Sequence, residues 1–325
     1  MVDRSERYRV YVTRPVPEAG PDMLRPSCDV EVNPQDEVLS HEELLEKVKG
    51  RDAVLCLLTD TIDEEIIKAG SDLKIIANYA VGYDNVDVAC ATKHGIWVSN
   101  TPGVLTDTTA DMAWALLFAV ARRIPEADRF TRAGKFKAWS ATLLLGGDVY
   151  GKTLGIIGAG RIGTAVAMRA SGFNMRVLYA DVRANRELER EVGAEWVDVD
   201  TLLRQSDFVS IHVPLMPETR HLIGRRSLAM MKPTAYLINT SRGTVIDEAA
   251  LANALRDKTI AGAGLDVFEE EPEVNRALLE LDNVVITPHI ASGSVETRTK
   301  MATMAAENVL AALNGRTPPN AVNRI

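Results

Sequence analysis

Short β-rich runs alternate with helical segments along most of this chain, and this alternation restricts the fold more than any other feature. A first series of predicted strands lies at Tyr8 to Thr13, Val30 to Val32, Ala53 to Leu57, Leu73 to Asn78 and Ile96 to Val98. A second series lies at Thr153 to Ile157, Arg176 to Tyr179, Phe208 to His212, Ala235 to Asn239, Ala261 to Leu265 and Val284 to Thr287. Strands that alternate with helices are typical of parallel sheets covered by helices on both faces. The pattern predicts an α/β protein.

Two strand series in a chain of 325 residues predict two domains, since a single core rarely grows to that length. We expect two Rossmann-like or flavodoxin-like doubly wound parallel sheets with a cleft between them. A helical stretch from Thr106 to about Ala133 connects the series, and a last helix, Ser294 to Leu313, follows the second series. This helix is expected to return to the first domain. The prediction is a discontinuous first domain, 1–99 with 292–325, and a second domain, 100–291.

The charge balance excludes some classes of partner. The formal net charge is −8 and there is no long block of Lys and Arg, which disfavours binding to nucleic acid or to an anionic membrane. No run of about 20 apolar residues and no signal peptide is visible, so we expect a cytoplasmic protein. The three cysteines, Cys28, Cys56 and Cys90, are widely spaced and are expected to be reduced packing residues rather than disulfides or metal ligands.

A glycine motif, Gly158-x-Gly160-x-x-Gly163, joins a predicted strand to a predicted helix. Glycines at this spacing allow a tight turn, close approach of a pyrophosphate and close packing of helix on strand. Asp181 follows at the expected distance of about 20 residues, where its carboxylate would bind the ribose hydroxyls and repel a 2′-phosphate. We therefore expect NAD(H) to be favoured, while Arg183 leaves NADP(H) open because a guanidinium binds phosphate well.

The segment from Gly146 to Thr153 also matches a phosphate-loop pattern, GxxxxGK[ST]. A true phosphate loop follows a strand and opens a helix. This segment instead precedes the strand that leads to Gly158, so we do not expect it to bind a nucleoside triphosphate.

A dinucleotide that transfers a hydride to a carbonyl group requires a proton donor for the carbonyl oxygen, and an acidic substrate also requires a cation. Of the five histidines, His289 follows Pro288 at the carboxyl end of a predicted strand, the edge at which open α/β sheets bind ligands. Glu271 and Arg242 lie at the corresponding ends of other strands. A carboxylate beside His289 would orient the ring and stabilise its protonated form, and Arg242 offers a planar fork to a carboxylate. From the spacing alone, the alternative that these three residues belong to ordinary surface loops stays open.

The motifs around these residues resemble those of the D-isomer-specific 2-hydroxyacid dehydrogenases, and in particular the glyoxylate and hydroxypyruvate reductases. The similarity covers essentially the whole chain, through YAVGYDNVDV, VLTDTTAD, GKTLGIIGAGRIG, HVPLMPETRHLI, LINTSRGTVID, AGAGLDVFEEEP and NVVITPHIASGS. The resemblance implies that Arg242, Glu271 and His289 are the catalytic residues.

The same resemblance implies a set of ligand contacts. The further cofactor contacts it implies are at Thr109, Ala159, Arg161, Ile162, Val182, Val213, Pro214, Thr240, Ser241, Asp266, Ile290 and Ala291. The substrate carboxylate would be held by the N–H groups of Val81 and Gly82, with Leu58 bounding the pocket. Trp139 would reach the neighbouring subunit's active site in a homodimer, or would simply pack at the interface.

The expected activity is the reduction of glyoxylate or hydroxypyruvate to glycolate or D-glycerate by NADH or NADPH. Phosphoglycerate dehydrogenase and formate dehydrogenase share the scaffold and are alternatives. Phosphoglycerate dehydrogenase often carries an extra regulatory domain, for which we expect no residues after the final helix. Formate dehydrogenase is usually longer at its N-terminus. A different class of protein, a dinucleotide-sensing corepressor, is also open, although the absence of long flanking tails disfavours it.

Overall fold

The structure is a computed structural model that describes residues 7–325. The chain divides into two compact units: the first comprises the residues up to Leu105 together with Gly293–Ile325, and the second comprises Thr106–Ser292. Each unit has its own parallel sheet and its own hydrophobic core. The predicted fold class of two parallel-sheet α/β domains is confirmed.

The first unit contains a sheet of five parallel strands in the order β2-β1-β3-β4-β5. These strands are β1 (Tyr8–Val12), β2 (Cys28–Val32), β3 (Ala53–Cys56), β4 (Ile75–Asn78) and β5 (Trp97–Ser99). The helices between them are α1 (Ala19–Leu24), α2 (His41–Val48), α3 (Glu64–Ala69) and α4 (Val88–Lys93). The three cysteines are free and lie in this core.

Local sequence determines where these elements begin and end. Every residue of β3 and β4 is buried, as expected for central strands of a sheet covered on both faces. Helix α2 begins with a capping box, in which the Ser40 hydroxyl accepts from the Glu43 N–H at 3.2 Å and the Glu43 carboxylate accepts from the Ser40 N–H at 2.9 Å. This cap satisfies backbone groups that the first helical turn leaves without partners.

The second unit contains a sheet of seven parallel strands in the order β12-β11-β10-β9-β6-β7-β8. Its strands are β6 (Thr153–Ile157), β7 (Arg176–Ala180), β8 (Glu195–Trp196), β9 (Phe208–Ile211), β10 (Tyr236–Asn239), β11 (Gly262–Leu265) and β12 (Val284–Ile286). Its helices are α5 (Thr106–Ala121), α6 (Ile124–Arg132), α7 (Arg161–Arg169), α8 (Arg186–Val192), α9 (Val199–Gln205), α10 (Arg225–Met230), α11 (Glu248–Arg256) and α12 (Arg276–Leu279).

The final helix, α13 (Val295–Leu313), belongs to the first unit and is capped by the Ser294 hydroxyl. It packs on α1 so closely that a Cβ added to Gly20 would lie 2.7 Å from the carbonyl oxygen of Ala302. The chain crosses between the units at Leu105/Thr106 and at Ser292/Gly293, a few residues from the crossings predicted near residues 100 and 291. Within residues 7–325, no helix is long and apolar enough to cross a membrane.

One local prediction is wrong, and one strand was not predicted. The helical stretch from Thr106 to about Ala133 is two helices, α5 and α6, because Arg123 adopts a left-handed φ of 54°. Pro125 would clash with the Ala121 carbonyl in a continuous helix, and that carbonyl accepts from the Gly147 N–H instead. Strand β8 was not predicted because it has two exposed residues at the sheet edge and no hydrophobic alternation.

Candidate active site

The glycine motif lies between β6 and α7, and each glycine meets a different constraint. Gly158 has a φ of +93°, and a Cβ there would lie 2.7 Å from the backbone of His212. A Cβ on Gly163 would lie 2.0 Å from the Gly158 carbonyl oxygen, so this glycine lets the helix pack against the turn. A Cβ on Gly160 would meet nothing within 4 Å. The two outer glycines are therefore required by packing, whereas Gly160 faces open space in which a ligand can approach the backbone.

The amino terminus of α7 fits a pyrophosphate. Gly160 is the N-cap residue and provides no side-chain cap, so the N–H groups of the first turn, from Arg161 and Ile162, have no side-chain acceptor. Orphan N–H groups and the helix dipole together favour an anion at this position. The segment Gly151-Lys152-Thr153 runs directly into β6 and opens no helix, which is consistent with the rejection of a phosphate loop there.

Asp181 follows β7 and lies beside the glycine turn. Its Oδ2 accepts from the Ala159 N–H at 2.7 Å and its Oδ1 accepts from the Arg183 N–H at 3.3 Å. Val182 is 94% exposed and the Arg183 side chain is also exposed. A carboxylate offers about four acceptor positions, so these two bonds leave capacity for ribose hydroxyls.

Asn185, which the sequence analysis missed, stabilises the same turn through hydrogen bonds. Its Nδ2 donates to the Ala159 carbonyl oxygen and to the Thr164 hydroxyl, both at 2.9 Å, and its Oδ1 caps α8 by accepting from the Leu188 N–H. An asparagine before a helical pattern signals an N-cap, but its contact with the glycine turn depends on tertiary structure.

His289 and Glu271 form a direct pair in the loops that follow β12 and β11. Nδ1 of His289 lies 2.7 Å from Oε2 of Glu271, and the two side chains are 25% and 27% exposed. Oε1 of Glu271 accepts from the Phe268 N–H at 3.0 Å, so both carboxylate oxygens are engaged. The pair fixes the ring orientation and leaves Nε2 as the ring nitrogen that does not face Glu271.

The electrostatic environment of Glu271 favours its ionised form. Burial alone would raise the pKa of this carboxyl, but the hydrogen bond and charge of His289, the Phe268 N–H and the charge of Arg242 together lower the pKa below its ordinary value. Glu271 is therefore a carboxylate at neutral pH, which is the state that stabilises a protonated imidazole.

Hydrogen bonds to Asp266 stabilise the loop that contains His289. Its fully buried carboxylate accepts from the Thr287 hydroxyl at 2.6 Å, the Ile290 N–H at 2.9 Å and the Ala291 N–H at 2.7 Å. The His289 N–H donates to the Asp266 carbonyl oxygen at 2.9 Å. Asp266 was predicted as a cofactor contact; in the structure its carboxylate holds residues 287–291.

His289 itself has a φ of +52°. A left-handed conformation in a residue other than glycine costs about 1–3 kcal/mol when the surrounding structure enforces it. The hydrogen bonds from Thr287, Ile290 and Ala291 to the Asp266 carboxylate hold the backbone on both sides of His289 in this conformation. Such strain is common at active sites.

Arg242 lies after β10 and is placed by its neighbours. Nδ2 of the fully buried Asn239 donates to the Arg242 carbonyl oxygen at 2.9 Å, while its Oδ1 accepts from the Ser241 N–H and hydroxyl. A Cβ on Gly243 would lie 1.8 Å from the Phe268 carbonyl carbon, so only glycine lets this turn contact the segment that leads to Glu271. The sequence analysis missed Asn239, whose signal is a polar amide that ends an apolar strand.

The other histidines have structural partners. His41 lies 3.0 Å from Asp63, His94 ends α4, and His221 pairs with Glu269. Burial lowers the pKa of His212 to about 3, so this ring is neutral at pH 7 and cannot donate the proton that an imidazolium donates.

The remaining predicted cofactor contacts lie on elements of the second unit. Thr240 follows β10, and its hydroxyl is buried without a hydrogen-bond partner among residues 7–325, an arrangement that suits a ligand because such groups are rarely left unsatisfied. Val213 and Pro214 follow β9, next to Gly158, and Thr109 is 3% exposed in the first turn of α5. These residues and the glycine turn fit a dinucleotide.

The remaining predicted substrate contacts are spread over both units. Val81 and Gly82 are half-buried in the loop after β4, and Leu58 is half-buried after β3. Trp139 is 83% exposed in the segment that follows α6.

A family model, the NAD-binding domain of the D-isomer-specific 2-hydroxyacid dehydrogenases, matches residues 114–291. The chain belongs to this family. The dehydrogenase is 54% identical over 318 residues to a glyoxylate reductase from Korarchaeum cryptofilum, and the match covers 97% of this chain and 96% of that protein.

Two solved structures extend the comparison. The crystal structure of a protein from Thermus thermophilus has a TM-score of 0.92 and 45% identity, covering 97% of this chain and 100% of that chain. An NADPH-dependent glyoxylate/hydroxypyruvate reductase from Sinorhizobium meliloti, solved with NADP and malonate, has a TM-score of 0.85 and 31% identity, covering 98% of this chain and 97% of that chain. The family predicted from the motifs is confirmed, and the protein is an NAD(P)-dependent 2-hydroxyacid dehydrogenase.

The depressed pKa of Glu271 predicts how stability depends on pH. Its ionisation adds stability that is fully present above the unfolded-state pKa of about 4.3 and is lost as the pH falls through the lower folded-state pKa. We expect Glu271→Gln to lower the free energy of unfolding at neutral pH by about 1.5–3 kcal/mol, the contribution of a hydrogen bond to a charged group. The difference from wild type should shrink below about pH 4.

Thermal unfolding across this pH range measures the difference directly. Glu270→Gln is the matched control, because it makes the same substitution one residue earlier on an exposed side chain. A difference between wild type and Glu271→Gln that does not shrink as the pH falls below about 4 would contradict the assignment.

Proposed function

We propose that this dehydrogenase reduces glyoxylate or hydroxypyruvate to glycolate or D-glycerate, with NADH as the favoured coenzyme. The observation that carries the proposal is the 2.7 Å distance between Nδ1 of His289 and Oε2 of Glu271. It supports a role for His289 as an oriented proton donor at the carboxyl edge of the second sheet. The names of relatives such as the Korarchaeum glyoxylate reductase support the choice of substrate class.

Reduction of the keto group adds a hydride to carbon and a proton to oxygen. A bound nicotinamide supplies the hydride. Nε2 of His289 donates the proton to the carbonyl oxygen, and the negative charge of Glu271 stabilises the imidazolium before the transfer. The guanidinium of Arg242 binds the keto acid and polarises its carbonyl group.

We assign the two units different roles. The second unit, predicted as residues 100–291, binds the dinucleotide through the glycine turn, Asp181 and Thr240. The first unit, predicted as residues 1–99 and 292–325, binds the substrate through the N–H groups of Val81 and Gly82 and through Leu58.

The enzyme acts as a homodimer in this proposal. The segment after α6 exposes large apolar side chains, with Phe136 56%, Trp139 83% and Leu145 65% exposed, and such a surface fits a second copy of the chain better than water. A sedimentation mass of one chain at micromolar concentration would contradict the dimer.

The test of the proton donor compares His289→Ala with wild type in reactions of NADH with glyoxylate, hydroxypyruvate, pyruvate and 3-phosphohydroxypyruvate. We expect kcat to fall by about 10²–10⁴-fold, the usual contribution of a general acid, while the Kd for NADH is retained. His221→Ala is the matched control, since His221 also has a left-handed φ, of 50°, and also pairs with a glutamate.

Near-normal turnover by His289→Ala would exclude His289 as the proton donor. A wild-type enzyme that prefers 3-phosphohydroxypyruvate over the two smaller acids would overturn the proposed substrate.

Coenzyme choice is tested at Asp181. Asp181→Asn removes the charge but keeps an oxygen that can accept from the Ala159 N–H, so the glycine turn should persist. We expect the ratio of kcat/KM for NADPH to that for NADH to rise by about tenfold or more, equivalent to about 1.4 kcal/mol, because the repulsion of a 2′-phosphate is gone. Steady-state kinetics with both coenzymes measure the ratio.

Arg183→Ala is the complementary variant and should lower the use of NADPH, since it removes the cation nearest to Asp181 in sequence. A wild-type enzyme with a strong preference for NADPH would contradict this role of Asp181.

A further inference from the structure

Three successive peptide carbonyls in the loop after β4 are held by groups at the carboxyl ends of β4 and β5. The Ala80 carbonyl oxygen accepts from the Thr101 N–H at 2.8 Å. The Val81 carbonyl oxygen accepts from Nδ2 of Asn100 at 2.7 Å, and the Gly82 carbonyl oxygen accepts from Nδ2 of Asn78 at 2.9 Å. The orientation of three consecutive peptide units is thereby fixed.

In a trans peptide the N–H points opposite to the C=O of the same unit. The N–H groups of Val81, Gly82 and Tyr83 therefore point away from Thr101, Asn100 and Asn78. Across residues 7–325, neither the Val81 nor the Gly82 N–H donates to a protein acceptor. Successive N–H groups that have no protein acceptor are available to bind an anion.

The two asparagines are buried and their amides are engaged. Asn78 is 1% exposed and Asn100 is 8% exposed. Besides the Gly82 carbonyl, Nδ2 of Asn78 donates to Oδ1 of Asn85 at 3.0 Å. The backbone of Asn100 is held on both sides, since its N–H donates to the Asn320 carbonyl oxygen at 3.3 Å and its carbonyl oxygen accepts from Nδ2 of Asn308 at 3.4 Å. Both asparagines therefore have anchors outside the loop that they hold.

Asn85 connects this loop to a neighbouring one. Its Nδ2 donates to the Leu57 carbonyl oxygen at 3.1 Å and to the Asp60 carbonyl oxygen at 2.9 Å. The Asp60 carboxylate in turn accepts from the Leu57 N–H at 2.8 Å and from the Thr13 hydroxyl at 2.5 Å. One network thus holds both the Val81–Gly82 loop and the loop that carries Leu58.

We propose that Asn100 and Asn78 are positioning residues for substrate binding: Asn100 fixes the peptide unit that presents the Gly82 N–H to the carboxylate of the keto acid, and Asn78 fixes the next unit, which carries the Tyr83 N–H. This inference rests on the proposed function for the identity of the ligand. Neither asparagine touches the substrate. Their contribution is to the affinity for the carboxylate and not to hydride or proton transfer.

The test variant is Asn100→Ala, which frees the Val81 carbonyl and lets the peptide unit rotate. Loss of one oriented hydrogen bond to a charged group changes affinity by about tenfold or more. We expect KM for glyoxylate to rise by about that factor, while kcat and the Kd for NADH stay close to wild type. Asn100→Ser, whose hydroxyl is too short to reach Val81, is used if Asn100→Ala does not fold, and the same direction is expected.

Asn33→Ala is the matched control. Asn33 is a buried asparagine of the same unit, 7% exposed, and its Nδ2 likewise donates to a backbone carbonyl, that of Thr13, at 3.0 Å. A purely structural role would make the two variants alike in thermal stability and in KM. The inference predicts similar losses of stability but a higher KM only in Asn100→Ala.

Calorimetric titration of the NADH-saturated enzyme with oxamate, an unreactive keto-acid analogue with one carboxylate, separates this inference from the proposed function. Weaker oxamate binding by Asn100→Ala and not by Asn33→Ala supports the inference, even if glyoxylate proves not to be the physiological substrate. Equal oxamate affinity in wild type and Asn100→Ala overturns it, as does a wild-type enzyme that does not bind oxamate. Failure of wild type to reduce any 2-keto acid overturns the proposed function alone.

Discussion

The carboxylate of Asp266 is the interaction on which the geometry of the second unit's site depends. It is fully buried at the end of β11 and accepts three hydrogen bonds from the segment that carries His289. Hydrogen bonds to a buried charge are strong, and removing one partner leaves the other unsatisfied. Asp266 thereby holds His289 at a left-handed φ and beside Glu271. A residue at a strand end thus determines, through the backbone of the following loop, the orientation of the imidazole ring that we propose as the proton donor.

Polar side chains at other strand ends make the same kind of hydrogen bond to the loop that follows. Asn239 closes β10 and fixes the backbone of Arg242, and Asn78 closes β4 and fixes the backbone of Gly82. In each case a polar side chain occupies the last position of a buried parallel strand, where the sheet is rigid, and bonds to the loop that follows. The reacting groups are thus carried by loops whose flexibility is removed by amides and carboxylates of the scaffold. The cost of burying these polar groups is offset because each has hydrogen-bond partners.

Much of the fold and the glycine motif were predictable from sequence because they depend on local patterns. The alternation of strands and helices predicted every strand except β8, which is too short and exposed to leave a pattern. Gly158, Gly160 and Gly163 were predicted because backbone conformation and close packing restrict residue choice directly. The break at Arg123 was missed although Pro125 signals it. Asn78, Asn100, Asn185 and Asn239 were missed because a polar residue at a strand or helix end is ordinary by itself, and only tertiary structure shows which carbonyl it meets. The proposed catalytic roles of Arg242, Glu271 and His289 needed the family resemblance for the same reason.

The most direct test of this account is the kcat of Asp266→Asn for glyoxylate at saturating NADH. Asparagine preserves the shape of the side chain but replaces one acceptor oxygen by an NH₂ group, which faces the N–H donor of either Ile290 or Ala291 because these two donate to different oxygens. Residues 287–291 then lose a charge-assisted bond of about 1.5–3 kcal/mol, and His289 is no longer held beside Glu271. The account predicts that kcat falls by at least about tenfold, equivalent to about 1.4 kcal/mol in the barrier. A kcat within twofold of wild type would contradict it.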